Sequence, residues 1–128
     1  MSDESANEGP LRVLLIEDNF PFAKLISTRL KRVLSSDMDL THNDSLGTAL
    51  QTLSRSDFDL IVLDLNLPDS GDIHTFEGVH QAAPNSPIVI LSSDESEELA
   101  FEAVQRGAQD YLIKGADDDQ KLHRSLLF

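Results

Sequence analysis

The fold of this chain is decided by the stretch from Asp59 to Pro68, which reads DLIVLDLNLP. Residues 60–63 form a short, β-branched apolar run without alternation, a pattern typical of a strand buried on both faces of a parallel sheet. The run ends in a carboxylate, Asp64, which is costly to bury unless it reaches solvent or meets cations. Pro68 cannot continue a central strand. The stretch therefore predicts an acid at the carboxyl end of a central strand, where open α/β sheets usually bind ligands.

Composition limits the kinds of protein to which this chain can belong. The chain has 128 residues, of which 40% are hydrophobic and 26% charged, and it contains no cysteine. These values fit one folded domain and exclude disulfides, zinc–thiolate sites and cysteine nucleophiles. The net charge of −13 makes direct binding to nucleic acid or to an anionic membrane unfavourable. Residues 1–10 are polar and resemble no targeting peptide, so we expect them to be disordered and the protein to be cytoplasmic.

Apolar runs and helical patterns alternate along the rest of the chain. Strands are predicted at residues 12–16, 38–42, 60–63, 87–91 and 111–113. Helical spacing of apolar residues separates these runs, with short connections between them. This order predicts an α/β fold, a doubly wound five-stranded parallel sheet with helices on both faces.

Capping residues and helix breakers predict where the first three helices lie. Asn19, followed by a proline in the first turn, predicts a helix that runs to about Ser35. Asp44 is the predicted cap of the second helix. A loop over residues 69–72 precedes the third helix, which must stop before Pro84.

The two remaining helices are predicted in the same way. Asp94, with Glu97 three residues later, resembles a capping box, and Gly107 suits the C-terminal cap of the same helix. Residues 117–119 are acidic and suit the positive end of a last helix. The chain stops at the apolar Phe128, so we expect either that the natural protein continues or that this is one domain excised from it.

Polar residues follow four of the five predicted strands. Because the carboxyl ends of parallel strands meet at one edge, we expect Glu17, Asp18, Asp64, Ser92 and Lys114 to lie together. One strand-end acid alone is usually a cap or a loop residue, but four such strand ends indicate a site. Clustered acids repel each other, and a hard divalent cation with oxygen ligands, Mg²⁺ or Mn²⁺, relieves that repulsion. With Asp64 as nucleophile, the set predicts phosphoryl transfer to form an aspartyl phosphate.

In this order the residues resemble the receiver domain of two-component response regulators. The match covers about residues 11–127 and is carried by the acidic pair 17–18, by Asp64 with Pro68, by the serines after the fourth strand and by residues 107–114. The resemblance implies a flavodoxin-like sheet with strand order 2-1-3-4-5. It also implies a single receiver domain over residues 11–128.

The resemblance assigns a metal site and a phosphoacceptor. Asp64 matches the phosphoacceptor, Asp18 a direct metal ligand and Glu17 an acid that more often acts through water. Asn66 matches the position whose backbone carbonyl completes the Mg²⁺ site. The implied phosphodonor is a phosphohistidine on a sensor histidine kinase or a histidine phosphotransfer protein.

The resemblance also assigns a switch. Ser92 matches the hydroxyl that turns toward the phosphate, Tyr111 the aromatic ring that follows it inward, and Lys114 the lysine that pairs with the phosphoryl group. The implied partners are an output domain or effector protein, and a homodimer is possible by analogy. The domain is not expected to be an enzyme beyond its own phosphorylation and dephosphorylation.

Two positions depart from the family pattern. Gly115 follows the lysine where the family usually has proline, often with a cis bond. Asp72 stands eight residues after the phosphoacceptor, where the family often has glycine, and Gly71 comes one residue earlier. The loop after Asp64 is therefore open to rearrangement.

Two other functions are compatible with the same fold. A phosphorylation-independent interaction module would keep the pocket only as a relic. A phosphatase acting through an aspartyl phosphate generally has a second Asp two residues after the nucleophile, but Asn66 stands there. The histidines share no metal-ligand spacing, lie far from the acidic cluster in sequence order and are expected to be surface or partly buried residues: His42, His74, His80 and His123.

Overall fold

The computed structural model of the chain describes residues 9–34, 37–114 and 119–126. Its five strands are β1 (Leu11–Ile16), β2 (Met38–Asn43), β3 (Leu60–Asp64), β4 (Ile88–Ser92) and β5 (Asp110–Ile113). All neighbouring pairs are parallel, and the strand order is β2-β1-β3-β4-β5. The predicted flavodoxin-like fold and strand order are confirmed.

Helices cover both faces of this sheet. They are α1 (Phe20–Val33), α2 (Leu46–Leu53), α3 (Asp72–Ala82), α4 (Glu97–Gln105) and α5 (Asp119–Ser125), and a 3-10 turn over Asp94–Ser96 precedes α4. Apolar residues of α2, α3 and α4 pack in one core, and those of α1 and α5 pack in the other. None of these helices, within the described ranges, has the length and apolar character needed to cross a bilayer.

The central strand β3 joins the two cores. Ile61 and Leu63 belong to the core under α2, α3 and α4, whereas Leu60 and Val62 belong to the core under α1 and α5. All four side chains are buried, and burying each such side chain stabilises the fold by about 1.5–3 kcal/mol. This packing on both sides fixes the position from which Asp64 leaves the sheet.

The start of α1 was predicted correctly, whereas that of α2 was off by one residue. Asn19 caps α1, since its Oδ1 accepts a hydrogen bond from the backbone N–H of Phe22 at 2.9 Å. The helix extends through Val33, and the predicted end at Ser35 lies outside the described residues. Ser45, not Asp44, caps α2, because the helix begins at the next residue and Ser45 Oγ accepts a hydrogen bond from the backbone N–H of Thr48 at 3.1 Å.

The predicted capping box of α4 is wrong. Residues 94–96 form a 3-10 turn, so Glu97 is the first residue of the helix rather than its third. Its carboxylate instead accepts a hydrogen bond from the hydroxyl of Tyr111 at 2.7 Å. The other end of α4 is as predicted, because Gly107 follows it with a φ of +127°, which glycine adopts without strain.

Three further points of the sequence analysis fall wholly or partly outside the described residues. Residues 1–8 of the segment predicted to be disordered lie outside them, as do residues 117–118 of the predicted start of the last helix. The described part of that helix begins at Asp119. The bond between Lys114 and Gly115 is likewise not described.

Candidate functional site

Three acids meet at the carboxyl edge of the sheet. Glu17 and Asp18 directly follow β1, and Asp64 is the last residue of β3. One carboxylate oxygen from each lies within 4.8 Å of the others. Glu17 and Asp64 are buried, whereas Asp18 is exposed to solvent. Carboxylate oxygens so close together are a donor set suited to a hard cation, so the acidic cluster is able to bind a metal.

Lys114 bridges two of these acids. Its Nζ lies 2.8 Å from Asp64 Oδ2 and 2.9 Å from Glu17 Oε1. Its backbone N–H donates to the carbonyl of Ser92 at 2.7 Å, which ties the end of β5 to the end of β4. The ammonium also lies 4.8 Å from the ring centroid of Phe22, a cation–π contact that the sequence pattern did not reveal.

Burial and charge set the proton affinity of the cluster. The pKa of Glu17 is raised to about 7. Burial is the main cause and the neighbouring Asp64 contributes to the rise, while Lys114 and the N–H of Asn19 act in the opposite direction. Burial acts to lower the pKa of Lys114, but its bonds to Asp64 and Glu17 outweigh that effect and the pKa is raised. One ammonium therefore does not fully compensate the buried acids.

The loop after Asp64 is held by two carboxylates. Asp64 Oδ1 accepts the N–H of Asn66 at 2.9 Å. Farther along, the oxygens of Asp69 accept the N–H groups of Leu46 and Gly47 at 2.8 and 2.9 Å. These two bonds, that of Gly47 first, lower the pKa of Asp69. The loop is thus fixed both at the site and at the N-terminus of α2.

The two residues assigned to the switch are hydrogen-bonded elsewhere. Ser92 is buried, and its Oγ donates to the carbonyl of Ser93 at 2.9 Å. Tyr111 lies on β5, half-buried, with its hydroxyl on Glu97 of α4 and the ammonium of Lys121 5.8 Å from its ring centroid. The hydroxyl of Tyr111 is therefore held by α4.

His42 is partly buried, as expected, but it also contacts the backbone of the acidic cluster, a role that ligand spacing did not predict. This residue is near the end of β2, and its Nε2 lies 2.7 Å from the carbonyl oxygen of Glu17. Its ring meets that of Phe20 edge-on, with 5.5 Å between centroids. The signal that could have found it is its place at the carboxyl end of a strand next to β1. His74 and His80 lie on α3, and His123 lies on α5.

Asp72, which stands where the family often has glycine, has an unusual backbone conformation. Asp72 opens α3 with a φ of +55°, and it is the only non-glycine residue with positive φ among the described ranges. This conformation favours glycine, the residue that the family often has here. Its Oδ1 accepts the N–H of His74 at 3.0 Å, a local bond that offsets part of the strain.

Comparison with known proteins agrees with this architecture. The family model described as the response regulator receiver domain matches residues 13–126. The regulatory protein LuxO of Vibrio cholerae is 33% identical over 106 residues, which are 83% of this chain and 23% of LuxO. The cell cycle transcriptional regulator CtrA of Caulobacter vibrioides is 36% identical over 115 residues, which are 89% of this chain and 48% of CtrA. The chain thus spans less than half the length of these two relatives.

Solved structures show the same fold. The signal receiver domain of a putative Luxo repressor protein from Vibrio parahaemolyticus is 31% identical, with a TM-score of 0.76 over 91% of this chain and 86% of its own. The receiver domain of the sensor histidine kinase PA1611 from Pseudomonas aeruginosa, a structure with a magnesium ion in its active site cleft, gives a TM-score of 0.74 at 22% identity over 91% of this chain and 93% of its own. The chain belongs to the response regulator receiver domain family.

Proposed function

We propose that this chain is the phosphoacceptor domain of a two-component phosphorelay, with Asp64 as the residue that is phosphorylated. The observation that carries the proposal is the pair of contacts from Lys114 Nζ to Asp64 and to Glu17, both shorter than 3 Å. They place a cation beside the proposed nucleophile and a second acid beside both. A phosphorylation-independent module has no use for this costly arrangement of buried charge.

The proposed reaction uses groups already in place. A carboxylate oxygen of Asp64 attacks the phosphorus of a phosphohistidine on a sensor kinase or phosphotransfer protein. The new P–O bond forms as the P–N bond breaks. The electron pair of the P–N bond stays on the departing imidazole nitrogen, which takes a proton from solvent. Lys114 then pairs with an oxygen of the transferred group, because it already reaches the nucleophile.

The acidic cluster fits Mg²⁺, and Mn²⁺ would suit the same oxygen ligands. Glu17, Asp18 and Asp64 would hold the ion, with the backbone carbonyl of Asn66 as a further ligand. The support for this assignment is the proximity of the three carboxylates, two of which are buried with a single ammonium between them. When bound, Mg²⁺ would neutralise charge on the oxygens of the transferring phosphoryl group.

Phosphorylation would switch the surface formed by α4, β5 and α5. The phosphoryl group adds negative charge and acceptor oxygens next to Ser92 and Lys114. Ser92 would exchange its bond to the carbonyl of Ser93 for one to the phosphoryl group, and Tyr111 would leave Glu97 as its ring moves inward. The element with two states is thus the Ser92–Tyr111 pair.

Several wider properties belong to the same proposal. The domain, residues 11–128, would act in the cytoplasm on an output domain or effector protein, and dimerise through its last helices. It would bind no nucleic acid itself, since its net charge is −13. Its only chemistry would be its own phosphorylation and dephosphorylation.

Intact-mass spectrometry tests the proposal. The chain is incubated with Mg²⁺ and acetyl phosphate, and we expect the added mass of one phosphoryl group. Asp64→Asn should abolish the addition, whereas Asp57→Asn, which changes an exposed acid in the loop before β3, should leave it unchanged. Equal labelling of Asp64→Asn would overturn the assignment. A chain that neither takes up phosphate nor binds Mg²⁺ would instead be the interaction module.

A further inference from the structure

Residues at the end of β2 form hydrogen bonds with both the backbone N–H and the backbone carbonyl of Glu17. The N–H of Glu17 donates to the carbonyl of Asn43 at 3.0 Å. The carbonyl of Glu17 lies 2.7 Å from Nε2 of His42. A carbonyl oxygen can only accept, so Nε2 carries the proton and the imidazole is the donor.

The side chain of His42 supplies a hydrogen bond just beyond the last paired residues of β1 and β2. The last aligned pair of β1 and β2 is Ile16 with Asn43, so the carbonyl of Glu17 lies one residue beyond the paired register. A buried carbonyl without a donor would cost free energy. The imidazole, one residue before the end of β2, supplies that donor.

The bond acts directly on the next residue. The peptide group is planar, so the carbonyl of Glu17 and the N–H of Asp18 turn together. Holding the oxygen therefore restricts the direction in which the chain enters Asp18. Asp18 is exposed and no hydrogen bond of its own carboxylate is described, so its backbone is what keeps it within 4.8 Å of Glu17 and Asp64.

A ring contact of the imidazole and a backbone hydrogen bond further fix the turn from β1 to α1. The ring of Phe20, the first residue of α1, meets it edge-on at 5.5 Å. Asn19, between the acids and α1, donates its N–H to Glu17 Oε2 at 3.1 Å. The turn from β1 to α1 is thus held by two side chains, that of His42 on β2 and that of Glu17 within the turn.

We infer that His42 is a positioning residue of the acidic site, which orients the Glu17–Asp18 peptide and so sets the affinity for the divalent cation. The inference rests on the proposed function, because it concerns the metal site of the same reaction. His42 touches neither phosphoryl group nor ion in this account. It acts through the backbone, much as groups behind metal ligands commonly do.

Two substitutions separate this role from simple packing. His42→Phe keeps an aromatic ring against Phe20 but has no N–H to donate. His42→Gln keeps a donor of similar reach in its side-chain amide. His74→Phe, at an exposed position on α3, is the matched control for losing a histidine.

The measurement is an NMR titration of backbone amides of the 128-residue chain with Mg²⁺, in which the spectrum before addition also shows whether each variant is folded. We expect His42→Phe to weaken Mg²⁺ binding by about tenfold, while His42→Gln and His74→Phe stay near the wild-type value. Folded His42→Phe that binds Mg²⁺ as tightly as the wild type would overturn the inference. So would folded His42→Gln that binds as weakly as His42→Phe.

The failure of the proposed function looks different. If the wild-type chain binds no Mg²⁺, the metal site itself is wrong, and the role of His42 is overturned with it. If the wild type binds Mg²⁺ and takes up phosphate but all three variants match it, only the role of His42 is overturned.

Discussion

Lys114 Nζ lies 2.8 Å from Asp64 Oδ2, although 50 positions separate the two residues in the sequence. The same ammonium lies 2.9 Å from Glu17 Oε1. One cation at the end of β5 therefore joins the ends of β1 and β3. The contact is part of the fold as well as of the proposed reaction, so changes to it should affect both.

Removal of this ammonium should destabilise the metal-free chain. Lys114→Gln would leave Glu17 and Asp64 without their counter-charge, and breaking a buried ion pair costs several kcal/mol. Since the side chain of Lys114 is 25% exposed, we expect a smaller loss of unfolding free energy, about 2 kcal/mol. Urea unfolding without Mg²⁺ measures it. The exposed Lys24→Gln serves as control, and equal stability of the two variants would contradict the prediction.

The raised pKa of Glu17 predicts a dependence of stability on pH. Between its ordinary value of 4.5 and about 7, the folded chain binds the proton of Glu17 more tightly than the unfolded chain does. This contribution to stability is therefore complete below pH 4.5 and is lost as pH rises through 7. Glu17→Gln cannot ionise, so its unfolding free energy relative to the wild type should increase from pH 5 to pH 8, by on the order of 2 kcal/mol.

Urea unfolding of both proteins across this pH range, without divalent cations, gives the comparison. The difference between them isolates Glu17 from the other acids, which the two proteins share. A difference that stays constant with pH would show that Glu17 titrates in the folded chain as it does in water.

The positive φ of Asp72 predicts a stabilising substitution. Asp72→Gly removes the strain of a non-glycine residue at +55° but also the bond to the N–H of His74. We expect a net gain of about 0.5 kcal/mol in unfolding free energy. Asp72→Ala loses the bond and keeps the strain, so thermal unfolding should rank Gly above Asp and Asp above Ala. A glycine variant less stable than the alanine variant would refute this account.

The bond from Tyr111 to Glu97 predicts an optical signal. The chain has one tyrosine and no tryptophan, so excitation at a wavelength that phenylalanine does not absorb gives fluorescence from Tyr111 alone. A carboxylate that accepts the phenolic proton quenches tyrosine emission, and Glu97→Gln removes that carboxylate. We expect the variant to be brighter than the wild type, whereas Glu98→Gln, at the next and exposed position of α4, should match it. Unchanged emission from Glu97→Gln would show that the bond does not hold in solution.

Much of the fold could be predicted from the sequence because the three central strands, β1, β3 and β4, are nearly pure apolar runs. Residues 60–63 and 87–91 leave no alternative to burial on both faces, and the parallel order follows from the alternation of strands and helices. The edge at which Asp64 and Lys114 meet follows from that order. The 2.8 Å contact between them could not be predicted, since it depends on how the backbone leaves β5.

The errors arose where one physical rule had two equivalent solutions. Asp44 and Ser45 are both good helix caps, and only the helix start decides between them. Glu97 fits a capping box in sequence, but a 3-10 turn shifts the helix start, and its carboxylate accepts a hydrogen bond from the Tyr111 hydroxyl instead. The contact of His42 with Glu17 is a different case, because it follows from the place of His42 near a strand end and not from any spacing between histidines.

The most direct test of the central claim is the location of the phosphoryl group. The chain is treated with acetyl phosphate and Mg²⁺ and then with borohydride, which reduces an aspartyl phosphate to homoserine, and peptide mass spectrometry finds the altered residue. The account predicts homoserine at position 64 and at no other aspartate. Unmodified Asp64 in a chain that has taken up phosphate, or homoserine at another position, would contradict it.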